Sequence, residues 1–326
     1  MPAFTTREAV GSEKSVVGDE LRSLVKRKFD LRIRPMNDVD LEHILEFRTV
    51  VSWSADPRAF GLLRGMKEAH WAVAEGAPSA LVGMVGAVPL GNIGILCHLA
   101  VHHDYRKNGL GARLTSWAVS YLRSRGAKVV RLDSTAEAER LYRSLGFEPV
   151  SRRTVYRLEG GTHRRVRIRD DGWQVSPLVV GDLPELYGVD RWSFGADRSA
   201  LILATLKLHP GWGLVARDMA GQIKGYLIRS ASGGGTCIGP FMASTPDAAR
   251  TLLAYALDMR SKPRGAPVNL GDAYVEVVPP VEEGPAHDLF DEFGFVGRGD
   301  RLRMELGETP RTSGLQTYGT TPYLAT

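Results

Sequence analysis

From position 1 to about 28 the residues are polar and show no hydrophobic period, which predicts a frayed N-terminal arm. Alternation begins at LRIRPM (31–36), the pattern of a half-buried strand. Asn37 or Asp38 then caps a helix through VDLEHILEFRTVVSW, where Leu41, Ile44, Leu45 and Val50 keep a helical period. HWAVAEG (70–76) and ALVGMVGAV (80–88) form a strand pair joined by a Gly/Pro/Ser turn, and NIGILCHLAV (92–101) is a third, strongly apolar strand. A helix with a glycine-rich start covers 109–127 and leaves at Gly126. VVRLDS (129–134) is a strand, TAEAERLYRSLG (135–146) a short helix, and FEPVSRRTVYRL returns as a strand hairpin. This order predicts a mixed α/β domain ending near Leu158.

EGGTHRRVRIRDDGW (159–173) is Gly-rich and basic and reads as a linker. Beyond it the pattern restarts. Pro35 with Asp40-Leu41 is echoed by Pro177 with Asp182-Leu183, WAVAEG by WGLVARD near 212, and LYRSLGF (141–147) by LFDEFGF (289–295). Three matches in one order, at offsets of about 142 to 148 residues, argue for two copies of one fold. The period is far too long for a solenoid. The expected organisation is an arm (1–28), a first domain (29–158), the linker, a second domain (174–308) and a tail (309–326) that keeps Tyr318, Tyr323 and Leu324. The fold class is α/β (α+β), a mixed central sheet flanked by helices in each domain.

Composition agrees. A chain of 326 residues with 43% hydrophobic and 24% charged side chains is globular, long enough for two domains, and neither disordered nor fibrous. The net charge of +5 mixes both signs, which permits an anionic ligand without demanding nucleic acid, and the basic linker lacks the aromatic residues that stack on bases. No apolar run approaches a membrane span. The two cysteines, Cys97 and Cys237, make no disulfide framework, and MPAFTTREAVGSEK has no apolar core, so a reducing, cytoplasmic location is expected. The histidines do not fall into HxxxH or HExxH spacing, and His102-His103 are adjacent residues whose side chains diverge in an extended segment, so no metal site is expected.

The segment that carries chemistry is Val101-His-His-Asp-Tyr-Arg106-Lys107-Asn108-Gly109-Leu110-Gly111-Ala112. A buried strand runs into a loop with two glycines, and a helix starts there. Free N–H groups of the first helical turn and the helix dipole make such a place an anion site, with Arg106 and Lys107 adding charge. The spacing is neither GxxxxGK[ST] nor GxGxxG with a distal acid.

This RxxGxG loop after a strand, about 35 residues before AxxLYRSLGF, resembles the GNAT superfamily of acyl-CoA-dependent N-acetyltransferases over about residues 31–158. Trp53, LDST (132–135), LYRSLGF, FGADRS (194–199), GYLIRS (225–230), IGP (238–240) and RM (303–304) further resemble the YitH-type tandem proteins, a GNAT domain followed by a degenerate GNAT-like one. The resemblance implies acetyl-CoA as cofactor. It places the pyrophosphate on Arg106 through Ala112 and the pantetheine arm against the exposed edge at Leu99, Ala100 and Val101, with Thr135 and Tyr142 completing the cofactor set. It further implies that the Leu99 N–H polarises the thioester carbonyl and that Tyr142 is the acid that protonates the departing thiolate. The second copy has STPDAARTLLAYAL where the loop would be, with Ser244 or Thr245 capping, Pro246 first and Asp247 in the first turn, so one coenzyme site per chain is expected.

The base and acceptor side are less determined. Strand alternation puts Ile95 and Cys97 on the face of Leu99 and Val101, and His98 opposite, as a satisfied histidine under the sheet unless a strand bulge turns it inward. A lone Cys97 in an apolar strand is core, although its place also makes it an acceptor-side candidate. Three sources of a base stay open: Asp133 through water, a water chain alone, or the C-terminal carboxylate of Thr326. Trp53 either walls the amine pocket or staples two helices. Arg198 either closes the acceptor pocket across the domains or holds their interface with a carboxylate. The expected reaction is direct acetyl transfer to a primary amine of a small molecule, by a monomer or homodimer without nucleic-acid or membrane partners. A larger acyl donor, an oxygen acceptor and a non-catalytic CoA sensor are the alternatives.

Overall fold

The computed structural model describes residues 31–51, 57–66, 68–76, 80–160, 172–232, 235–258, 274–279, 284–308 and 312–320. The N-terminal arm, Trp53, most of the linker and Thr326 lie outside them.

The first repeat runs β1 (Arg32–Pro35), α1 (Leu41–Val50), α2 (Pro57–Arg64), β2 (His70–Glu75), β3 (Leu81–Leu90), β4 (Ile93–Val101), α3 (Leu110–Ser124), β5 (Val129–Ser134), α4 (Glu139–Ser144) and β6 (Glu148–Leu158). The second runs β7 (Gln174–Pro177), α5 (Leu183–Phe194), α6 (Ser199–Leu208), β8 (Gly213–Arg217), β9 (Ile223–Ser232), β10 (Gly235–Ala243), α7 (Pro246–Leu257), β11 (Val275–Val277), α8 (Pro285–Phe293) and β12 (Val296–Leu306), and β13 (Gln316–Gly319) follows. The sequence echoes mark equivalent structures. Asp40 accepts from the Asn37 N–H ahead of α1, and Asp182 accepts from the Val179 N–H ahead of α5. Gly146 and Gly294, at φ +85° and +86°, end α4 and α8 alike. Residues 148–158 form one long strand rather than a hairpin, because their pairing partners come from the other repeat.

All the strands join one sheet, in the order β1-β2-β3-β4-β5-β12-β6-β11-β10-β9-β8-β7, with β13 attached to β10. The last strand of each repeat therefore sits in the other's half. β12 pairs antiparallel with β5, β6 pairs antiparallel with β11, and β6 and β12 pair with each other about the centre. The cores follow this exchange. Met304 of β12 is fully buried beside Leu114, Leu132 and Tyr142 of the first repeat. Tyr156 and Leu158 of β6 are buried beside Leu252 and Phe290 of the second. Each such side chain is worth about 1.5–3 kcal/mol of burial, so neither repeat closes its core without the other's last strand.

Among the described residues no helix is long and apolar enough to cross a membrane. Ala196 and Leu201, around the start of α6, join the first-repeat cluster of Phe47, Phe60, Trp71 and Cys97, so the second repeat also covers that face of β4.

Candidate active site

The site starts from a divergence of two parallel strands. Ile93, Gly94 and Ile95 of β4 pair with Val129, Val130 and Arg131 of β5, and the pairing stops there. From Leu96 to Val101 the β4 edge facing β5 has no ladder partner among the described residues, which leaves its backbone groups open to a ligand lying alongside. On its other side β4 pairs with β3, where Met84 faces Ala100 and Gly86 faces Cys97. Three steps on β4 thus match two on β3, a bulge at which His98 takes φ +52°. Gly86 permits it: a Cβ there would lie 2.5 Å from the Trp71 ring and 2.9 Å from the Cys97 sulfur.

The bulge corrects the expected alternation. Ile95, Cys97 and Ala100 belong to the cluster under α1 and α2, while Leu96, Leu99 and Val101 belong with the one under α3. Cys97 and Leu99 therefore lie on opposite faces. His98 goes with Cys97, its ring 5.1 Å from that of Trp71 and 6.4 Å from that of Phe60. Arg48 Nη1 lies 2.8 Å from His98 Nδ1. A guanidinium only donates, so Nδ1 accepts and the ring's proton sits on Nε2. His98 faces the α1–α2 layer as a hydrogen-bond donor with its lone pair already used. The Trp71 Nε1–H beside it is buried with no partner among the described residues. Arg48 itself was missed by sequence reasoning, although its position one turn from Ile44 on the buried stripe of α1 was the available signal.

Beyond Val101 a 3₁₀ turn over His103–Tyr105 leads into the loop. Lys107 at φ +61° and Gly109 at φ +76° swing the chain into α3. Arg106 Nε donates to the Val101 carbonyl at 3.1 Å, and Asn108 Nδ2 to the Arg106 carbonyl at 2.9 Å. Gly109 at the N-cap offers no side-chain acceptor to the first turn of α3. Leu110, Gly111 and Ala112 therefore present N–H groups that no side chain caps, an arrangement suited to an anion. Just ahead, the His102 and His103 rings do not diverge: the tight turn stacks them 4.2 Å apart, and with Asp104 their ligating atoms lie within 4.8 Å of one another. Thr135, exposed at the end of β5, accepts from the Ser134 hydroxyl and the Ala138 N–H.

Tyr142 of α4 is buried, its ring edge-on to Phe147. Burial pushes its phenol well above the usual range and the nearby Cys97 sulfur pushes the same way, so it stays protonated. Burial likewise raises the Cys97 thiol far beyond a reactive range, only partly countered by Arg48, which fits core packing and not nucleophilic attack.

Asp133 leaves the list of bases. Arg303 donates to it through Nε at 2.6 Å and Nη2 at 3.0 Å, and Arg153 Nη1 at 3.2 Å. Burial alone would raise its pKa, but the charges of Arg153 and Arg303 overcome this and hold it at about 2. A carboxylate held so low is a poor proton acceptor. With Arg131 bonded to Glu305 at 2.5 Å, these five charges tie β5 to β12 and β6. Arg198 is fully buried in the second repeat, bonded to both Asp190 oxygens and to the Tyr226 hydroxyl at 3.1 Å. Its guanidinium covers one ring, Phe194 at 4.2 Å, which Arg131 of the first repeat also approaches at 5.6 Å. Arg198 thus supports the interface, with a carboxylate of its own repeat.

The second repeat repeats this architecture with different groups at the equivalent positions. The β9–β10 ladder has the same bulge, Leu227 facing Phe241 and Arg229 facing Ile238, which sets Gly239 and Pro240 where His98 and Leu99 stand. Pro240 has no N–H. Phe290 occupies the place of Tyr142, packing against Phe295 as Tyr142 packs against Phe147. The Thr245 hydroxyl caps α7 by accepting from the Ala248 N–H.

Comparison with known proteins matches both halves. The family model for the acetyltransferase (GNAT) domain fits residues 67–149, and a second model of that description fits residues 187–264. An uncharacterized N-acetyltransferase of Bacillus subtilis (strain 168), YitH, is 23% identical over 215 residues, 66% of this chain and 70% of that one. In fold the chain is similar to a putative acetyltransferase from Pyrococcus horikoshii, with a TM-score of 0.72 at 19% identity over 91% of this chain and 96% of that one. It is also similar to a tandem GNAT protein from the clavulanic acid biosynthesis pathway, with a TM-score of 0.64 at 14% identity over 86% and 100%.

Proposed function

This chain is a tandem acyltransferase of the GNAT family, and we propose that the cleft of its first repeat transfers the acetyl group of acetyl-CoA directly to a primary amine of a small molecule. The observation that carries this reading is the meeting, in one cleft, of an open β4 edge and an uncapped α3 start. Those groups fit an extended amide chain ending in phosphates, and the equivalent groups of the second repeat do not. Acetyl-CoA, when bound, supplies an acetyl group activated as a thioester. Arg106, Lys107 and the first-turn N–H groups of α3 would hold its phosphates, and Leu99 to Val101 its amides. The Leu99 N–H donates where negative charge grows on the carbonyl oxygen. Tyr142, kept protonated by burial, gives its proton to the departing sulfur. The amine gives up its own proton to water, now that Asp133 is held ionised by arginines. The Trp71 Nε1–H, which has no partner among the described residues, orients the acceptor from the α1–α2 side. Two buried cysteines that form no disulfide suit a reducing compartment such as the cytoplasm.

A panel of amines with acetyl-CoA, read by thiol release and product mass, tests this. The expected result is amine-dependent thiol release that is lost in Tyr142→Phe while CoA still binds. Binding of CoA without turnover on any amine would refute the transfer reading, and absence of CoA binding would refute the site itself.

A further inference from the structure

The second cleft is already filled. β10 and β11 run parallel from Thr236 to Ile238 against Val275 to Val277 and then part, as β4 and β5 do. Into that gap comes β13. It pairs antiparallel with the free edge of β10, Gln316 facing Ala243, Thr317 facing Met242 and Gly319 facing Phe241. Thr320 N–H then donates to the Val278 carbonyl at 2.9 Å, so the segment touches both arms of the gap.

The fit is specific at three positions. Gly319 sits at the apex, where a Cβ would lie 2.8 Å from Val277 Cγ2 and 3.0 Å from the Ile238 carbonyl oxygen; only glycine passes. Tyr318 is 1% exposed and lies against Phe241 at 5.3 Å between ring centres. Leu315, on the opposite face, is buried with Leu186, Tyr226 and Met242. Before the strand, Ser313 N–H donates to the Trp192 carbonyl at 3.2 Å and Leu315 N–H to the Ser193 hydroxyl at 2.9 Å, which fastens the segment to the end of α5. A pocket of about 550 Å³, walled by Ser193, Pro285, Ala286 and the segment itself, remains beside it.

We propose that the second repeat's cleft is a peptide-binding groove that takes an extended strand of pattern Leu-x-x-Tyr-Gly, and that its resident occupant is residues 312–320 of this chain. The groove uses strand addition, in which main-chain pairing gives affinity and side-chain pockets give selectivity. Its own residues favour a peptide over a phosphorylated cofactor: Thr245 already satisfies the start of α7, Asp247 adds negative charge there, and Pro240 lacks the N–H that Leu99 supplies. The inference does not depend on acetyl transfer, because its readouts are strand pairing and peptide binding.

The test uses the full chain carrying Gly319→Val, which cannot seat the apex, with Leu315→Ala/Tyr318→Ala as a second variant should the first not fold. The probe is a synthetic peptide of residues 309–326. Amides of Phe241 and Ala243, which face β13, should exchange at least tenfold faster in the variant, while those of β4 stay as they were. The variant should bind one equivalent of the peptide and regain the slow exchange; wild-type chain, with its groove filled, should bind none. A peptide carrying Val in place of Gly319 should bind at least tenfold more weakly. A folded variant that ignores the peptide, or that binds both peptides alike, overturns the proposal. So does rapid exchange of the Phe241 and Ala243 amides in the wild-type chain. A second equivalent of CoA on the variant, displaced by the peptide, would show instead a covered cofactor site.

Discussion

The two clefts of this molecule share a scaffold down to the bulge in the central strand, and they differ at the few atoms that could do chemistry. At the apex, Leu99 offers an N–H where Pro240 has none. Over the apex, Tyr142 carries a hydroxyl where Phe290 carries a hydrogen. At the helix start, Gly109 leaves the N–H groups free where Thr245 caps them. Along the edge, β4 stands open where β10 is paired with β13. The two clefts thus differ in their polar groups without a change of fold. The second also has a demand: an open strand edge and an apolar cleft need covering, and the tail provides it.

The largest expected effect separates the copies by one oxygen. Tyr142→Phe should lower kcat by about 10²–10⁴-fold, the range for removing a general acid, with CoA affinity unchanged. Phe290→Tyr should leave kcat as it is, because its cleft holds a peptide strand. A steady-state comparison of both variants checks the assignment, and equal activity of Tyr142→Phe and wild type would break it.

The repeats also differ where they exchange strands. On the first side Asp133 lies buried among Arg131, Arg153 and Arg303, whereas on the second Arg157 and Glu276 form a half-exposed pair. Asp133→Asn should cost about 3–5 kcal/mol of unfolding free energy, since it leaves buried arginines short of a counter-charge. Removing the exposed pair should cost about 0–1 kcal/mol. The sign of the pH effect follows from the depressed carboxylate. Asp133 falls from 3.8 to about 2 in the folded chain, so its contribution, about 2 kcal/mol, is complete above pH 4 and disappears as pH falls toward 2. Urea unfolding at a series of pH values should show this acid limb in wild type and a flatter one in Asp133→Asn.

Much of this was legible in the sequence. The repeat offsets pointed to two copies, and two domain models match in tandem; RxxGxG marked the turn between β4 and α3, where the first helical N–H groups lie uncapped by a side chain. What escaped depends on non-local pairing. Residues 148–158 read as a hairpin because nothing local says that their partners, β11 and β12, come from more than 110 residues away. The shared face of Cys97 and Leu99 was misjudged because a bulge changes the count by one, and the glycine that makes room for it, Gly86, lies on the neighbouring strand. Asp133 read as a free acid because its arginines arrive from β6 and β12. In the tail, Tyr318 was noticed as unusual, but the pairing with β10 that explains it leaves no local signature.

A smaller effect is expected from moving the second repeat's helix start into the first. Gly109→Asp caps α3 and puts a carboxylate where phosphate would sit; aspartate tolerates a left-handed backbone better than most residues, so φ +76° is bearable. CoA affinity should fall about tenfold, or about 1.4 kcal/mol, by calorimetry. Gly109→Asn, with the cap and without the charge, should fall less, and the difference between the two variants isolates the charge.

The reverse exchange is the mildest. Thr245→Ala uncaps α7 and should cost about 1 kcal/mol of stability, the usual value for a lost N-cap. If free N–H groups alone made a phosphate site, the variant would gain CoA binding. It should gain none, because Asp247 remains in the first turn and β13 still lies along β10. Calorimetric titration of Thr245→Ala with CoA should therefore return one equivalent per chain, as for wild type. Two equivalents would mean that the cap, rather than the strand in the cleft, is what closed the second copy.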